Sequence, residues 1–352
     1  MKKIVLTGGG SAGHVTPNIA LYEELKKDYK CFYIGSHDGI EKKLIADHDM
    51  PYYSISTGKL RRYLSAKNFT DMFRVLRGFS DAKKALKEVS PDVVFSKGGF
   101  VAVPVVLAAR SLKIPVIIHE SDITPGLATK ISAKFAKKIC VSFKETVEFL
   151  PKEKTVFTGT PIRKFLFAGN ALKAKNMCNF SDDKPIILAM GGSLGSVKLN
   201  TYLQESLEEL LNLYNIAHIV GKNNINKAFE NTKGYKQFEY LNEELPDLLS
   251  LSDIIVSRAG ANAISEFLAL RKPSLLIPLS KAASRGDQIL NAESFKKQGF
   301  AKVIFEENLT KDNLISEIMN LYENKAKYIE NMKNSRVNDG VSEVIKVIEK
   351  EL

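Results

Sequence analysis

Gly8-Gly9-Gly10-Ser11-Ala12-Gly13 directly follows the apolar run Lys3–Thr7, and the same arrangement returns where Gly191-Gly192-Ser193-Leu194-Gly195 follows Ile186–Met190. Glycines between a strand and a helix let the backbone pass close to a phosphate and aim N–H groups and the helix dipole at it. One such loop in each half of the chain predicts two domains, each built on its own sheet.

The rest of the chain supports that division, because short β-branched runs alternate with helical patterns in both halves. This alternation is typical of βα units around a parallel sheet. We therefore predict an α/β fold of two Rossmann-like domains, residues 1–160 and 161–340, which divide at Thr158–Pro161. An amphipathic helix over about 341–352 is predicted to pack back on a domain. The predicted strands are 3–7, 31–34, 92–96, 115–119, 139–142, 186–190, 216–220, 253–257 and 274–278, with one further strand that ends at the Thr158–Pro161 boundary and another that ends at Tyr240.

Composition excludes several classes of protein. The chain has 352 residues, 44% hydrophobic and 26% charged, which suits two globular domains and not a disordered chain. No run approaches the roughly 18 apolar residues of a membrane span, so we expect a cytoplasmic protein. Cys31, Cys140 and Cys178 are widely spaced, which predicts reduced packing residues and neither a disulfide framework nor a zinc site.

Positive charge is concentrated in the first half. Residues 1–160 hold 26 basic and 16 acidic residues, against 25 and 24 in residues 161–352. The segment Lys59–Lys87 carries nine basic residues and two acidic ones. A basic helix with one apolar face is typical of binding to an anionic membrane surface. The alternative is that the apolar face of this helix packs in the protein core. Binding to nucleic acid is a weaker interpretation, because the aromatic side chains lie opposite many of the charges. The predicted membrane residues are Phe69, Phe73, Leu76, Arg74 and Arg77.

The first glycine loop matches the dinucleotide fingerprint GxGxxG only in part. The acidic residue that binds the ribose should end the second strand, but that strand ends Ile34-Gly35-Ser36-His37. An NAD-dependent dehydrogenase is therefore the weaker interpretation. His14 follows the loop at the mouth of the first helix, where an imidazole can act as a general base. The alternative is a helix-start residue bonded to nearby backbone.

A second candidate site lies in Ser257–Glu266, which runs from a strand end into a helix. A diphosphate can bind the N–H groups at that helix start while the Glu266 carboxylate accepts both hydroxyls of a ribose. The alternative is a carboxylate that only stabilises the first helical turn. After the next strand, Asp287, Gln288 and Asn291 offer groups that can bind sugar hydroxyls.

Six motifs together closely resemble the MurG family of glycosyltransferases, in order along nearly the whole chain. They are Gly9–Val15, Lys97–Val101, His119-Glu120, Thr160–Arg163, Gly191–Gly195 and Ser257–Gly260 with Glu266. The resemblance implies a GT-B fold in which the sheets face an interdomain cleft. It implies an inverting transfer of N-acetylglucosamine from UDP-N-acetylglucosamine to the muramoyl 4-hydroxyl of a lipid-linked pentapeptide, the conversion of lipid I to lipid II.

The resemblance also implies roles for single residues. His14 is the candidate base, and the acceptor lipid binds the N-terminal domain at the cytoplasmic face of the membrane. Contacts with the substrates are implied for Ser11, Ala12, Gly13, Asp122, Arg163, Ser193, Leu241, Ala261, Asn262, Ala263, Ile264, Ser265, Glu266 and Gln288. No cofactor and no tightly bound metal are expected.

This chain departs from the family at three of these positions. Threonine and glycine are usual where Ser11 and Ala12 stand, and asparagine is usual where Asp122 stands. A carboxylate near a diphosphate would be repelled unless it is paired or protonated, and Asp122 could also raise the pKa of His14. Two alternatives in function remain at this point: another UDP-sugar-dependent transferase of this fold, or a nucleotide-sugar-binding module without catalysis.

Overall fold

The computed structural model describes residues 1–58, 67–192, 195–281, 284–335 and 339–352, without the side chains of residues 67–72. The chain forms two compact units. We call Met1–Arg163, together with the C-terminal helix Gly340–Glu349, the amino unit, and the part that begins at Lys164 the carboxy unit. Each unit holds one parallel sheet with helices around it, so the predicted α/β class with two Rossmann-like domains is confirmed.

The sheet of the amino unit has seven parallel strands in the order β3-β2-β1-β4-β5-β6-β7. Strand order reverses between β1 and β4, which pair directly, and ligands of open α/β sheets bind at the carboxyl ends of the strands at such a point. The strands are β1 Lys3–Thr7, β2 Lys30–Ser36, β3 Tyr52–Ile55, β4 Val93–Ser96, β5 Val116–Glu120, β6 Lys138–Val141 and β7 Thr155–Phe157.

Helices cover both faces of this sheet, because alternate residues of its central strands are apolar on each side. Ile4 and Leu6 of β1 belong to one buried cluster, and Val5 belongs to the cluster on the other face. The helices are α1 Thr16–Leu25, α2 Ile40–Ala46, α3 Lys67–Val89, α4 Ala102–Ser111 and α5 Leu127–Ala133, with 3-10 turns at Ala12–His14, Lys144–Phe149 and Lys152–Lys154.

The carboxy unit repeats the plan with six parallel strands in the order β10-β9-β8-β11-β12-β13, and its order reverses between β8 and β11. Its strands are β8 Ile186–Met190, β9 Asn215–Ile219, β10 Tyr235–Phe238, β11 Ile254–Ser257, β12 Ser274–Leu276 and β13 Ala301–Val303. Its helices are α6 Ala171–Cys178, α7 Val197–Glu205, α8 Leu207–Leu210, α9 Leu245–Leu251, α10 Ala261–Ala269, α11 Asp287–Lys297, α12 Lys311–Glu323 and α13 Lys325–Lys333. Short 3-10 turns lie at Lys164–Ala168, Lys227–Phe229 and Glu306–Asn308.

The last helix, α14 (Gly340–Glu349), belongs to the amino unit. The side chain of Asp339 caps it by accepting the N–H groups of Val341 and Ser342. Val344 and Ile348 are fully buried in the cluster that also holds α1. A methyl group on Gly340 would lie 2.3 Å from the carbonyl oxygen of Thr160, so the helix start is packed directly against the main chain.

Some elements differ from the sequence-based expectation. Strands β3 and β13 were not predicted, since β3 lies at a half-exposed edge and β13 has only three residues. The strand predicted to end at Tyr240 ends at Phe238.

All three cysteines are free and buried, as predicted, and burial raises the pKa of the Cys31 thiol to about 12. None of the described helices is long and apolar enough to cross a membrane.

Candidate active site

His14 lies where the first glycine loop meets the turn that follows β4. Its ring Nδ1 is 3.2 Å from the main-chain oxygen of Lys97. A carbonyl oxygen can only accept, so Nδ1 carries the proton in this bond and Nε2 is the basic nitrogen of the neutral ring. The two loops that meet here follow the adjacent strands β1 and β4, at the reversal of strand order. This geometry suits His14 as a general base.

Gly99 shows how tightly the two loops are packed. A methyl group at this position would lie 2.1 Å from the oxygen of Gly9 and 3.0 Å from Cδ2 of His14. Gly99 also has φ of +79°, in the left-handed region that side chains disfavour. Only glycine fits here, and the close contact holds the imidazole against the turn Lys97–Phe100.

The loop residues predicted to meet substrate lie directly before His14. Ser11 is exposed, and its carbonyl accepts the N–H of His14 at 3.1 Å. Ala12 and Gly13 belong to a 3-10 turn, and α1 begins only at Thr16. The loop therefore presents Ser11–Gly13 and His14 together at the carboxyl edge of the sheet.

Glu41 is a buried carboxylate that sequence reasoning missed. One of its oxygens accepts the N–H of Gly10 at 3.1 Å, and the other accepts the N–H and hydroxyl of Ser36. Methyl groups on Gly9 or Gly39 would collide with it. The fingerprint places an acid at the end of the second strand, whereas Glu41 lies in the first turn of α2 and points back at the loop.

A second group of polar residues surrounds the end of β5. The Glu120 carboxylate accepts the N–H groups of Ser121 at 2.8 Å, Asp122 at 3.1 Å and Gly126 at 3.1 Å, which fixes the loop that carries Asp122. Lys97 is buried, and its ammonium donates to the hydroxyl of Ser121. Burial lowers the pKa of Lys97 to about 8, while the charges of Glu120 and Asp122 act in the opposite direction.

A cavity of about 690 Å³ opens beside the glycine loop within the amino unit. Its lining includes Gly10 of the loop, Phe100, and Arg74 and Arg77 of α3. The ends of β2 and β3 supply the remaining walls, which are Ser36, His37, Asp38, Gly39, Ile40, Ile55, Ser56 and Thr57. Two guanidinium groups beside a cavity suit an anionic ligand.

Helix α3 divides into a core half and an exposed half. Ala82 and Leu86 are fully buried in the amino unit, so the core alternative holds for the second half. In the first half Phe73 is 71% exposed and Leu76 is 61% exposed. Residues 59–66 and the side chain of Phe69 lie outside the part that the structure describes. Phe73 and Leu76 are thus large exposed apolar residues on the same half of α3 as Arg74 and Arg77, and membrane binding by this half stays a prediction.

In the carboxy unit, open space lies at the reversal of strand order. A methyl group added to Gly192, after β8, or to Gly260, after β11, would contact nothing within 4 Å. Helix α10 starts at Ala261, and its first N–H groups and dipole point into that space. Ile264 does not fit the predicted substrate contact: its side chain is fully buried and its N–H bonds to the oxygen of Gly260.

Other predicted contacts of this unit surround the same helix start. Ser265 donates its hydroxyl to the oxygen of Ala261 at 2.7 Å. Glu266 is half-buried on α10. Gln288 accepts the N–H of Leu279 at 3.1 Å, so its NH₂ group is the part suited to a sugar hydroxyl. Asn291 is fully buried and donates to Ala259, a structural role.

Arg258 holds the strand ends of the carboxy unit together, a role the sequence did not reveal. Its guanidinium donates to Ser196 at 2.6 Å and to the oxygen of Ile277 at 3.0 Å, and it pairs with Glu306. Burial alone would raise the pKa of Glu306, but the hydrogen bond and charge of Arg258 outweigh it and the pKa is lowered. The loops after β8, β11 and β12 are thereby tied to one cation.

Three predicted contacts are less defined. Arg163 is the last residue of the amino unit before the chain enters the carboxy unit, and it is half-buried. Leu241 is half-buried three positions after β10. Ser193 lies outside the described residues. Within the described ranges no group of three or more His, Cys, Asp or Glu side chains could hold a metal ion.

Comparison with known proteins identifies the family. Residues 4–141 match the glycosyltransferase family 28 N-terminal domain, and residues 186–348 match the family 28 C-terminal domain. A curated relative from Clostridium tetani is 57% identical over 99% of this chain and 98% of its own length. It is named a UDP-N-acetylglucosamine–N-acetylmuramyl-(pentapeptide) pyrophosphoryl-undecaprenol N-acetylglucosamine transferase, as is a relative from Clostridium botulinum that is 55% identical over 99% of both chains.

A solved structure gives the same result. The crystal structure of Acinetobacter baumannii MurG superposes with a TM-score of 0.78 and 26% identity, over 99% of this chain and 100% of that one. The family expected from the six motifs is therefore confirmed over the full length. The chain belongs to glycosyltransferase family 28, and within it to the MurG family of N-acetylglucosaminyltransferases.

Proposed function

We propose that this chain transfers N-acetylglucosamine from UDP-N-acetylglucosamine to the 4-hydroxyl of undecaprenyl-diphospho-muramoyl pentapeptide, with inversion at the anomeric carbon. The observation that carries the proposal is the hydrogen bond between His14 and the main-chain oxygen of Lys97, which sets a basic Nε2 beside the glycine loop of a family 28 chain. The same reaction class is printed in the names of relatives at 55% to 57% identity.

The chemical step is one displacement. The muramoyl hydroxyl oxygen attacks the anomeric carbon, the bond from that carbon to the β-phosphate oxygen breaks, and UDP leaves with the electron pair. The hydroxyl proton passes to Nε2 of His14. Negative charge that develops on the diphosphate is stabilised by the N–H groups and dipole at the start of α10, with Arg163 as an additional cation.

The donor occupies the carboxy unit in this proposal. The open space beside Gly260 admits the diphosphate against Ala261, Asn262 and Ala263. The Glu266 carboxylate accepts the ribose hydroxyls, and the NH₂ group of Gln288 binds a hydroxyl of the sugar. Leu241 supplies a main-chain contact to uracil. The support is the family resemblance of these positions and the place of Ala261, Asn262, Ala263 and Glu266 on the single helix α10.

The acceptor occupies the amino unit. The cavity between Gly10 and the two arginines of α3 is proposed to hold the anionic part of the lipid-linked acceptor. Phe73 and Leu76 lie on that same helix and point into solvent. Inserted in the headgroup region, they would hold the protein at an anionic membrane surface without a spanning segment. We therefore propose a peripheral enzyme at the cytoplasmic face.

A turnover assay tests the function. Purified chain, UDP-N-acetylglucosamine and a short-chain lipid I analogue should give UDP and a β-linked disaccharide product, identified by mass and by the anomeric proton coupling. UDP-glucose should be a much poorer donor. Thermal stabilisation by UDP-N-acetylglucosamine without turnover would instead support the non-catalytic binding module, and transfer only to a different acceptor would support another transferase of this fold.

A further inference from the structure

The cavity beside the glycine loop has a third side chain that can carry positive charge, and the proposed function leaves it unused. His37 directly follows β2 and is exposed, and it lines the cavity of about 690 Å³ together with Arg74 and Arg77. An imidazole is the side chain that gains a proton between about pH 5 and 8. The positive charge of this cavity therefore depends on pH.

The helix that carries the two arginines is fixed to the end of β3. The Asp81 carboxylate of α3 accepts the main-chain N–H of Ser56 at 3.0 Å. A methyl group on Gly78 would lie 2.0 Å from the oxygen of Ser56, so the backbone of α3 packs directly against that residue. Strands β2 and β3 pair up to Ser36 and Ile55. The backbone that carries His37 and the helix that carries the arginines are therefore held at a fixed separation.

His37 and Arg77 lie on two sides of one carboxylate. Burial alone would raise the pKa of Asp81, but its hydrogen bonds with Ser56 outweigh burial, and the charges of Arg77 and His37 act in the same direction, so the pKa is lowered. Asp81 is itself committed to the main chain of Ser56. It anchors the helix and lies between the two groups that can be positively charged.

The other carboxylates do not cancel the positive charge of the lining. Glu41 is fully buried behind the loop, and its oxygens accept the N–H of Gly10 and the N–H and hydroxyl of Ser36. Asp38 is exposed and is the single carboxylate among the described residues that line the cavity. With its two guanidinium groups, the lining has one net positive charge while His37 is neutral and two when His37 is an imidazolium.

A diphosphate that is esterified at both ends matches the protonated lining. Each of its two phosphorus atoms carries one ionised oxygen, so its charge does not change near neutral pH. Guanidinium and imidazolium groups bind phosphate oxygens through charge-assisted hydrogen bonds. The lipid-linked acceptor of the proposed reaction contains a diphosphate of this kind. Any change in its binding with pH must therefore come from the protein.

We propose that His37 is a binding residue for the acceptor: as an imidazolium it completes, with Arg74 and Arg77, a site for the diphosphate diester. Binding then strengthens as pH falls from about 8 to about 6, by about threefold to fivefold, the effect of one ion pair at an exposed site. The inference rests on the proposed function for the identity of the natural ligand. A phosphodiester headgroup of the membrane has the same chemistry with half the charge.

The binding experiment uses dimethyl diphosphate, esterified at both ends, because its charge is the same at both pH values. Isothermal titration of the full chain at constant ionic strength should give a Kd about threefold to fivefold lower at about pH 6 than at about pH 8. His37→Asn should remove that difference. His48→Asn, which changes a half-buried histidine beside Glu23 in the same unit, should retain it.

Two results of that titration would overturn the proposal. A pH difference that persists in His37→Asn would assign it to another group, such as His14 of the neighbouring loop. Dimethyl phosphate stands for a membrane headgroup and should bind more weakly than the diphosphate, because it carries half the charge. Equal affinity for the two probes would overturn the diphosphate assignment.

Nuclear magnetic resonance tests whether the probe binds in this cavity. The ring-proton signal of His37, identified by its loss in His37→Asn, should shift when dimethyl diphosphate is added. Arg74→Gln with Arg77→Gln should abolish the shift, and the signal of His48 should stay constant. A His37 signal that does not move at saturating probe would overturn the proposal, even in an active enzyme.

Turnover separates the site from its natural ligand. In the active enzyme, His37→Asn should raise KM for the lipid I analogue by about threefold to fivefold at about pH 6, and should change KM for UDP-N-acetylglucosamine much less. An unchanged KM for the lipid I analogue would overturn the assignment of the acceptor to this site. A shift of the His37 signal in a protein without turnover would support the diphosphate site and place the fault in the proposed function.

Discussion

The carboxylate of Glu41 accepts the main-chain N–H of Gly10 at 3.1 Å, in the middle of the loop whose glycines match a dinucleotide fingerprint. An internal anion thus occupies a donor that a cofactor phosphate uses in dinucleotide-binding folds. Gly9, which lies between two glycines of that fingerprint, must also stay a glycine, because a side chain there would collide with the carboxylate. This relationship gives a physical reason why the amino unit is not an NAD site.

Replacing Glu41 should cost stability and activity together. Glu41→Gln places an amide NH₂ against N–H donors of Gly10 or Ser36, and one unsatisfied buried donor costs about 1–3 kcal/mol. Urea unfolding measures the change in stability, and turnover should fall because the loop before His14 loses its anchor. UDP-N-acetylglucosamine should raise the melting temperature of the wild-type protein whereas NAD should not. A Glu41→Gln protein of unchanged stability would contradict the structural role.

Gly99→Ala should disturb His14 specifically. The added methyl group would lie 2.1 Å from the oxygen of Gly9 and 3.0 Å from the His14 ring, at a residue with φ of +79°. Overpacking of this kind costs about 1–3 kcal/mol, and the ring must move. We expect a larger loss in kcat than in affinity for the donor. Gly260→Ala, where the methyl group meets open space, is the comparison: it should leave stability nearly unchanged.

His14→Ala should reduce kcat by roughly 10²–10⁴ if the imidazole is the base. Thermal stabilisation by UDP-N-acetylglucosamine should persist, since the donor is proposed to bind the carboxy unit. A loss of less than about tenfold would assign proton removal to another group.

Membrane binding should depend on the exposed half of α3. Phe73→Ser with Leu76→Ser should weaken cosedimentation with anionic vesicles, and Arg74→Gln with Arg77→Gln should weaken its dependence on anionic lipid, each cation contributing about 1 kcal/mol. Leu213→Ser is the control, because Leu213 is 49% exposed in the carboxy unit. Equal binding of wild type to neutral and anionic vesicles would contradict the electrostatic part of the proposal.

Acid should destabilise the carboxy unit through His218. This histidine is buried between Tyr235 and Asn200, and burial lowers its pKa to about 3. Between about pH 6.5 and 3 this histidine is protonated in the unfolded chain but stays neutral in the folded chain. The free energy of unfolding therefore falls as pH drops from about 6.5 toward 3, by up to about 1.4 kcal/mol per pH unit. His218→Gln should flatten that slope in urea titrations at pH 7 and pH 5. An unchanged slope would assign the proton uptake to another group. His119 is one such group, because its pKa is also lowered in the folded protein.

The sequence was sufficient for the parts of the fold that rest on local patterns. Buried parallel strands are continuous apolar runs, and glycines mark the turns at β1 and β8, so both sheets and their loops could be predicted. Strands β3 and β13 could not, since an edge strand with one fully buried residue and a three-residue strand leave little pattern. Helix α3 was predicted as one amphipathic segment, yet its apolar stripe is core beyond Phe79 and exposed at Phe73 and Leu76.

The candidate site was predicted where residue type alone is informative and missed where contacts decide. His14 and Glu266 stand next to glycines at strand ends, which marks them in the sequence. Glu41, Lys97 and Arg258 are charged residues that the sequence cannot place inside, because their partners lie far along the chain: Gly10, Ser121 and Glu306 respectively. Ile264 was included for its position in a motif, although its helical face points into the core.

Helix α14 has a consequence for synthesis on the ribosome. Val341, Val344, Val347 and Ile348 complete a hydrophobic cluster whose other members come from the first 140 residues. These four residues are translated only after the entire carboxy unit. Until then, the apolar surface of the amino unit that α14 covers stays exposed, while the carboxy unit can already fold. A premature stop codon just before this helix would therefore damage the region of the protein encoded first.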